Sequence, residues 1–315
     1  MGRLYTYKCV QIKEMNPVSL LKNSTKSVSI EITTCCPLNC VYCERKIHNK
    51  TLSFDEFLYL KSIIKQQPLI NRITFCGIGE AFLHKDFYRM LQHLSDYKIT
   101  IITSGTILVD FDKLSEMENV DILIFSIDSV SREKVVDICG ENYNYDNLLT
   151  NLENLKKYCK QALRKRKFVT SIINCTINKS NIEDIVNMVD FAFKYGFSGI
   201  HFSLPWGNYE LVKEQHQILV EQFNKAMDKA KRYGIVMENP FNSYCCITHD
   251  HIMPYIDVNG NMYYCAYGLN KKEVLGNIKV DAFDDMKTNP IYLDYISGDK
   301  CKICDMTEFC NLERR

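Results

Sequence analysis

Six times along this chain a short apolar run is followed by a stretch of helical periodicity, and no other feature restricts the fold as strongly. The runs are Val28 to Thr33, Ile70 to Phe75, Ile99 to Thr103, Asp121 to Ile127, Phe168 to Cys175 and Gly199 to Ser203. Ser53-Phe54-Asp55-Glu56 reads as a capping box that opens a helix to about Gln66. Residues 84–97, 110–118, 131–138 and 145–165 read as helical, Ser180-Asn181-Ile182-Glu183 as the cap of another helix, and Glu210 to Tyr233 as a long amphipathic one. Strands that are apolar on both faces belong in a parallel sheet covered by helices, and right-handed crossovers curl such a sheet toward a barrel. The expectation is an α/β fold, a partial (β/α)6 TIM-like barrel over residues 28–239, with its chemistry at the carboxyl ends of the strands.

The loop leaving the first run carries Cys36, Cys40 and Cys43 as C-x3-C-x2-C. Three thiolates on one loop can hold three irons of a cubic [4Fe–4S] cluster, whereas a structural zinc site or a closed cube needs four ligands. A partial zinc knuckle is the competing reading, and the doublet Cys35-Cys36 leaves the first ligand formally open. With the aromatic Tyr42 just before the last cysteine, this loop resembles the signature of the radical SAM superfamily. Only Cys36 gives that family's spacing, which leaves Cys35 as a spare thiol packed as a small apolar residue. The resemblance implies that the amino and carboxylate groups of S-adenosylmethionine fill the open iron.

Phe75-Cys76-Gly77-Ile78-Gly79-Glu80, at the end of the second run, resembles the family's G-G-E-P segment, with Ala81 where proline is usual. The resemblance implies that Gly77 and Gly79 let backbone approach the methionine part of the cofactor, since glycine has no Cβ. It implies too that Glu80 faces the cofactor ammonium or orders the loop. Ser104 after the third run, Ser126 and Asp128 after the fourth and Asn174 and Asn178 at the fifth are placed to meet the cofactor ribose or carboxylate, or serve as ordinary turn residues. Cys76 and Cys245 are candidate hydrogen-atom donors, or inert buried thiols. His201 reads as a satisfied core histidine, Trp206 as a cavity wall or a packing residue, and His249 and His251 have no assigned role.

After Pro240 the pattern changes to a cysteine-rich tail, expected as a small separate domain over residues 240–315, with a type I′ hairpin at Asn259-Gly260. Residues 1–27 read as an edge strand and connector. The tail order Cys246, Gly260, Cys265, Cys301, Cys304, Cys310 resembles the SPASM and twitch extensions of radical SAM enzymes, with Arg314 where the full SPASM pattern carries a further cysteine. The resemblance implies one auxiliary [4Fe–4S] cluster on Cys246, Cys265, Cys301 and Cys304. Cys310 could replace one of these, and Cys245 competes with Cys246. Four of the same thiolates could instead hold a structural zinc.

Fifteen cysteines without a secretory leader suggest metal binding in a reducing compartment, so a cytoplasmic location is expected. A balance of 39 basic against 38 acidic residues gives no global field for nucleic acid or an anionic membrane, and no apolar run is long enough to span a bilayer. The basic run Arg164-Lys165-Arg166-Lys167 reads as a solvated helix terminus. The family resemblance implies reductive cleavage of S-adenosylmethionine to a 5′-deoxyadenosyl radical, with electrons from a flavodoxin- or ferredoxin-type reductant. It favours a peptide substrate, epimerised or crosslinked; oxidation of a small alcohol such as an aminocyclitol or sugar is the second reading. Outside enzymology the alternative is a zinc-stabilised binding module.

Overall fold

The computed structural model describes residues 27–43, 49–203, 209–237, 254–264, 273–286 and 288–296. A ten-stranded open sheet forms the frame. Its parallel strands are β1 (Ser27–Ile30), β2 (Arg72–Phe75), β3 (Lys98–Thr103), β4 (Val120–Ser126), β5 (Thr170–Thr176), β6 (Gly199–Ser203) and β7 (Val236–Met237), neighbours in chain order. The six expected strands are all present, the short β7 extends the series, and the barrel does not close.

Alternation within each strand explains how the sheet is covered. Val28, Ile30, Ile73, Phe75, Ile99, Ile101, Leu123, Phe125, Ile173, Ile200 and Phe202 are buried against the helices. The other parity carries Ser29, Thr74 and Thr100 in one register row and Ser126, Asn174 and His201 in another, with Ile102, Ile124 and Ile172 in the row between, so the second face is polar at both ends. The lower end of that face is tied by Arg72, whose guanidinium forks onto Asp121 at 2.7 and 2.9 Å and donates to Thr100 Oγ1 at 2.9 Å.

The helices follow their sequence signals closely where those signals are complete. Ser53 and Glu56 exchange the two bonds of a capping box on α1 (Phe54–Lys65). The long helix Tyr145–Arg164 buries Leu148, Leu152 and Leu155, one stripe at helical spacing. It ends at Arg164, and Lys167, from the basic run expected to be solvated, donates to the Met117 carbonyl at 2.7 Å.

Three local readings are corrected. Residues 84–97 are not one helix: a 3-10 turn Ala81–Leu83 precedes α2 (Phe87–Gln92), and α3 (Phe111–Ser115) follows β3. His84 breaks the run because its ring accepts from Asp86 N and bonds the Leu52 carbonyl at 2.7 Å. The Ser180 cap is absent. That turn opens with a 3-10 segment, Ile182–Asp184, after Asn181, whose amide bonds the carbonyls of Asp128 and Thr176. The hairpin of β8 (Tyr255–Ile256) and β9 (Asn261–Tyr263) is not type I′. Only Gly260 takes a positive φ, +89°, and its N–H donates to Asp257 O, which describes a type I turn followed by a glycine in the left-handed region.

The hairpin does not stand apart from the barrel sheet: β8 lies parallel to β1, with Ser29 opposite Tyr255 and Ile30 opposite Ile256. Strand β10 (Gly276–Asn277) completes this edge beside β9. Among the described residues no helix is long and apolar enough to cross a membrane.

Candidate functional site

The cysteine loop is fastened at both flanks before any side chain of the site is considered. On one side Thr34 N donates to Lys50 O at 2.8 Å, Lys50 N to Thr34 Oγ1 at 3.0 Å, and Leu52 N to Ile32 O at 2.8 Å. On the other side the amides of Asn39 and Val41 donate at 2.8 and 2.9 Å to the carbonyls of Cys139 and Ile138. Those two residues end α4 (Arg132–Cys139), whose last carbonyls have no partner within the helix. The loop supplies those partners, so loop and helix end fix one another.

Tyr42 closes the arrangement. Its hydroxyl donates to Asp128 Oδ2, while Asp128 Oδ1 accepts from Thr176 N at 2.7 Å and the Cys139 thiol lies 3.7 Å from Oδ2. Asp128 is buried, and burial raises its carboxyl above the ordinary range. Its oxygens are engaged by the protein's own donors, so it acts as a node between the cysteine loop, β4 and β5. Asp128→Ala would leave the Tyr42 hydroxyl and the Thr176 amide without their acceptor. The expected cost is about 2–6 kcal/mol in a denaturant melt, at about 1–3 kcal/mol for each of the two buried unsatisfied groups. An unchanged melt would refute the node.

Cys36 and Cys40 are half-buried and Cys43 is exposed, and none of the three is joined in a disulfide. A hydrogen bond from Cys139 holds the Cys40 thiol below its ordinary pKa and raises that of Cys139 in turn. Among the described residues no three His, Cys, Asp or Glu side chains are gathered for a single metal ion. A cubic cluster takes its thiolates at separate iron corners, farther apart than the ligands of one ion, and three cysteines on one braced loop, none in a disulfide, fit that donor set.

The segment after β2 lies directly on this loop. Glu80 N donates to Cys35 O at 2.7 Å, and a Cβ at Gly79 would sit 2.0 Å from Thr33 O. Gly77 has φ +141°, and a Cβ there would meet the Glu31 side chain at 2.7 Å. The Glu80 carboxylate accepts from Thr103 Oγ1 at 2.9 Å, Ser104 N at 2.8 Å, Ser104 Oγ at 2.7 Å and Phe82 N at 3.3 Å. Of its two expected roles, those bonds are the loop-ordering one, and they occupy Ser104 as well. Cys76 sits on the polar face of β2, where burial pushes its thiol up to about 12 despite a hydrogen bond with Ser29.

His201 departs from its sequence reading. It is exposed, on the same face as Asn174 and Ser126 and in register with both, rather than in the core. Cys245, Cys246, Cys265, Cys301, Cys304, Cys310, Trp206, His249 and His251 lie outside the described residues. Sequence reasoning missed Glu31, Cys139 and Asn181. Glu31 alone left a visible trace, as a charge inside an otherwise apolar run.

Comparison with known proteins adds the following. The family model described as the radical SAM superfamily matches residues 30–192. The GTPase Obg of Brachyspira hyodysenteriae is 27% identical over 49% of this chain, which spans only 24% of that protein's length. The AdoMet-dependent heme synthase of Methanosarcina barkeri is 23% identical, with 92% of this chain and 91% of that one covered. Among solved structures, SuiB of Streptococcus suis bound to precursor peptide SuiA superposes with a TM-score of 0.66 at 14% identity. That match covers 99% of this chain and 82% of SuiB, and the likeness is one of fold.

Proposed function

Because this chain belongs to the radical SAM superfamily, and is therefore an enzyme of [4Fe–4S] and S-adenosylmethionine chemistry, we propose that it abstracts hydrogen from a peptide substrate. The observation that carries this reading is the three-cysteine loop clamped between β1, the end of α4 and the Gly77–Glu80 segment. When bound, a reduced cluster would supply the one-electron reduction that splits the S–C5′ bond of S-adenosylmethionine, with methionine as the leaving group and the 5′-deoxyadenosyl fragment as the hydrogen acceptor.

Cys36, Cys40 and Cys43 hold the cluster, and the glycines of the second loop bring backbone close to the methionine part of the cofactor. Ser126 and Asn174 face the ribose or carboxylate from the strand ends, Tyr42 meets the cofactor from the cysteine loop with its hydroxyl held on Asp128, and Glu80, Ser104 and Asp128 keep the loops in register. Cys76 delivers a hydrogen atom to the substrate radical, its S–H bond breaking as the substrate C–H bond forms, and the thiyl radical left behind takes one electron from the flavodoxin- or ferredoxin-type reductant and a proton from solvent. The raised pKa of Cys76 keeps the thiol in the S–H form, the only form with a hydrogen to give. Cys245 is the alternative donor. The tail from residue 240 carries an auxiliary [4Fe–4S] cluster on Cys246, Cys265, Cys301 and Cys304, with Cys310 as a possible replacement ligand, and a flavodoxin or ferredoxin supplies electrons. A peptide is favoured over a small alcohol by the fold shared with SuiB, a structure bound to its precursor peptide.

The test uses anaerobically reconstituted protein, reductant, S-adenosylmethionine and candidate peptides in deuterated buffer. Peptide-dependent 5′-deoxyadenosine with deuterium at a peptide α-carbon is the expected result. Turnover that depends instead on an added sugar or aminocyclitol, with a two-electron loss, would replace the peptide by a small alcohol. In the same samples Cys76→Ala is expected to abolish deuterium uptake while 5′-deoxyadenosine still forms.

A further inference from the structure

Glu31 is the one residue whose side chain joins the Gly77–Glu80 segment to the C-terminal hairpin through buried hydrogen bonds among the described residues. It follows β1, its backbone N–H donates to Ile256 O at 2.9 Å, and its side chain turns to the polar face shared by Ser29 and Cys76. One carboxylate oxygen accepts from Ile78 N at 2.9 Å, the other from Val258 N at 3.1 Å, and the Tyr255 hydroxyl donates as well. Glu31 is 3% exposed. Backbone pairing of β8 with β1 ties the hairpin to the sheet but does not reach the Gly77–Glu80 segment, and two further side-chain links, Lys50 to Asn259 and Lys279 to Glu56, are on the surface, where solvent screens them.

As a stabiliser the carboxylate, itself costly to bury, does no more than satisfy the two backbone N–H groups that an apolar replacement would leave without an acceptor. What it does supply is direction. Each oxygen selects one N–H, and the two N–H groups belong to segments 180 positions apart in sequence. The Gly77 position is built around it too, because any Cβ there would strike the Glu31 side chain.

We infer that Glu31 is a positioning residue that sets the C-terminal hairpin and the Gly77–Glu80 cofactor segment at a fixed distance from one another, so that a displacement of either is felt by the other. In sequence the hairpin leads directly into Cys265, one of the proposed auxiliary ligands. This inference rests on the cofactor reading of the Gly77–Glu80 segment given above.

The test compares two variants with wild type, as reconstituted protein under anaerobic conditions. Glu31→Gln keeps the shape but puts an NH2 group where one of the two amides needs an acceptor. Tyr255→Phe removes only the hairpin's hydroxyl. Amide hydrogen exchange without nucleotide is read at Ile78 and Val258, with the β4 strand as an internal standard, and S-adenosylmethionine affinity is read separately. In Glu31→Gln both amides are expected to exchange faster together, β4 to stay unchanged, and the affinity to fall about tenfold, the range for outer-shell partners. In Tyr255→Phe faster exchange is expected to reach Ile78, whose hydrogen bond is to Glu31 and not to Tyr255. Faster exchange confined to residues 254–264, with Ile78 and the affinity unchanged, overturns the inference. If Glu31→Gln does not fold, the Tyr255→Phe result decides. A wild-type protein that binds no S-adenosylmethionine would sink the cofactor reading instead, and the exchange arm, read without nucleotide, keeps the two failures apart.

Discussion

Cys36→Ala is expected to abolish 5′-deoxyadenosine formation and to strip about four irons from each chain, the content of one cube. Two thiolates cannot retain a cluster that three were needed to hold. The adjacent Cys35 offers no substitute. Its thiol lies against Asn49 Oδ1 at 3.9 Å and Thr51 Oγ1 at 3.6 Å, and its carbonyl is held by Glu80 N. Cys35→Ala is therefore the matched control, with cluster and cofactor cleavage retained. The measurement is iron content, absorbance and 5′-deoxyadenosine yield after anaerobic reconstitution. Full cleavage by the Cys36 variant, or its loss in the Cys35 variant, would contradict the assignment.

Gly79→Ala is expected to act as severely through a different cause. The added methyl would lie 2.0 Å from Thr33 O, 2.7 Å from Thr33 C and 2.9 Å from Thr34 Cα, all backbone atoms. That backbone cannot retreat cheaply, because Leu52 N binds Ile32 O and the Thr34–Lys50 pair anchors the next residue. Relief requires the segment after β2 to lift from the cysteine loop, which breaks the bond from Glu80 N to Cys35 O. The expected cost is about 3 kcal/mol or more, at the upper end for overpacking. Cofactor binding should fall further than stability alone accounts for. Gly196→Ala provides the contrast: φ is +76° there, but the nearest neighbour is Lys156 Cγ at 3.9 Å. Strain of about 1–2 kcal/mol is expected, with S-adenosylmethionine affinity untouched. Thermal melts and nucleotide titration of both variants check this, and a Gly79→Ala protein that binds like wild type would refute the close approach.

How much of this could be read from the residues alone depends on the range over which each feature is decided. The strands, the capping box at Ser53 and the glycine-containing segment after Phe75 are written in local pattern, and all appear where the pattern puts them. The 84–97 helix fails because one side chain, His84, finds Leu52 far back in the chain and bends the backbone around that bond. His201 fails because a lone polar residue in an apolar strand does not reveal which parity faces the helices; the register with Asn174 and Ser126 does. Glu31 and Asp128 are harder still. Their partners, Val258 and Thr176 among them, are distant in sequence, and nothing in the spacing of a single chain pairs them.

The fastening of the cysteine loop has a consequence for how the protein comes to be made. Although Cys36, Cys40 and Cys43 leave the ribosome early, the amides between them rest on Cys139 and Ile138, and Tyr42 rests on an aspartate steadied by Thr176 and Asn181. More than half of the polypeptide has to be synthesised and folded before the thiols have their seat. Delivery of iron and sulfide is thus expected to follow the folding of the chain as far as Asn181.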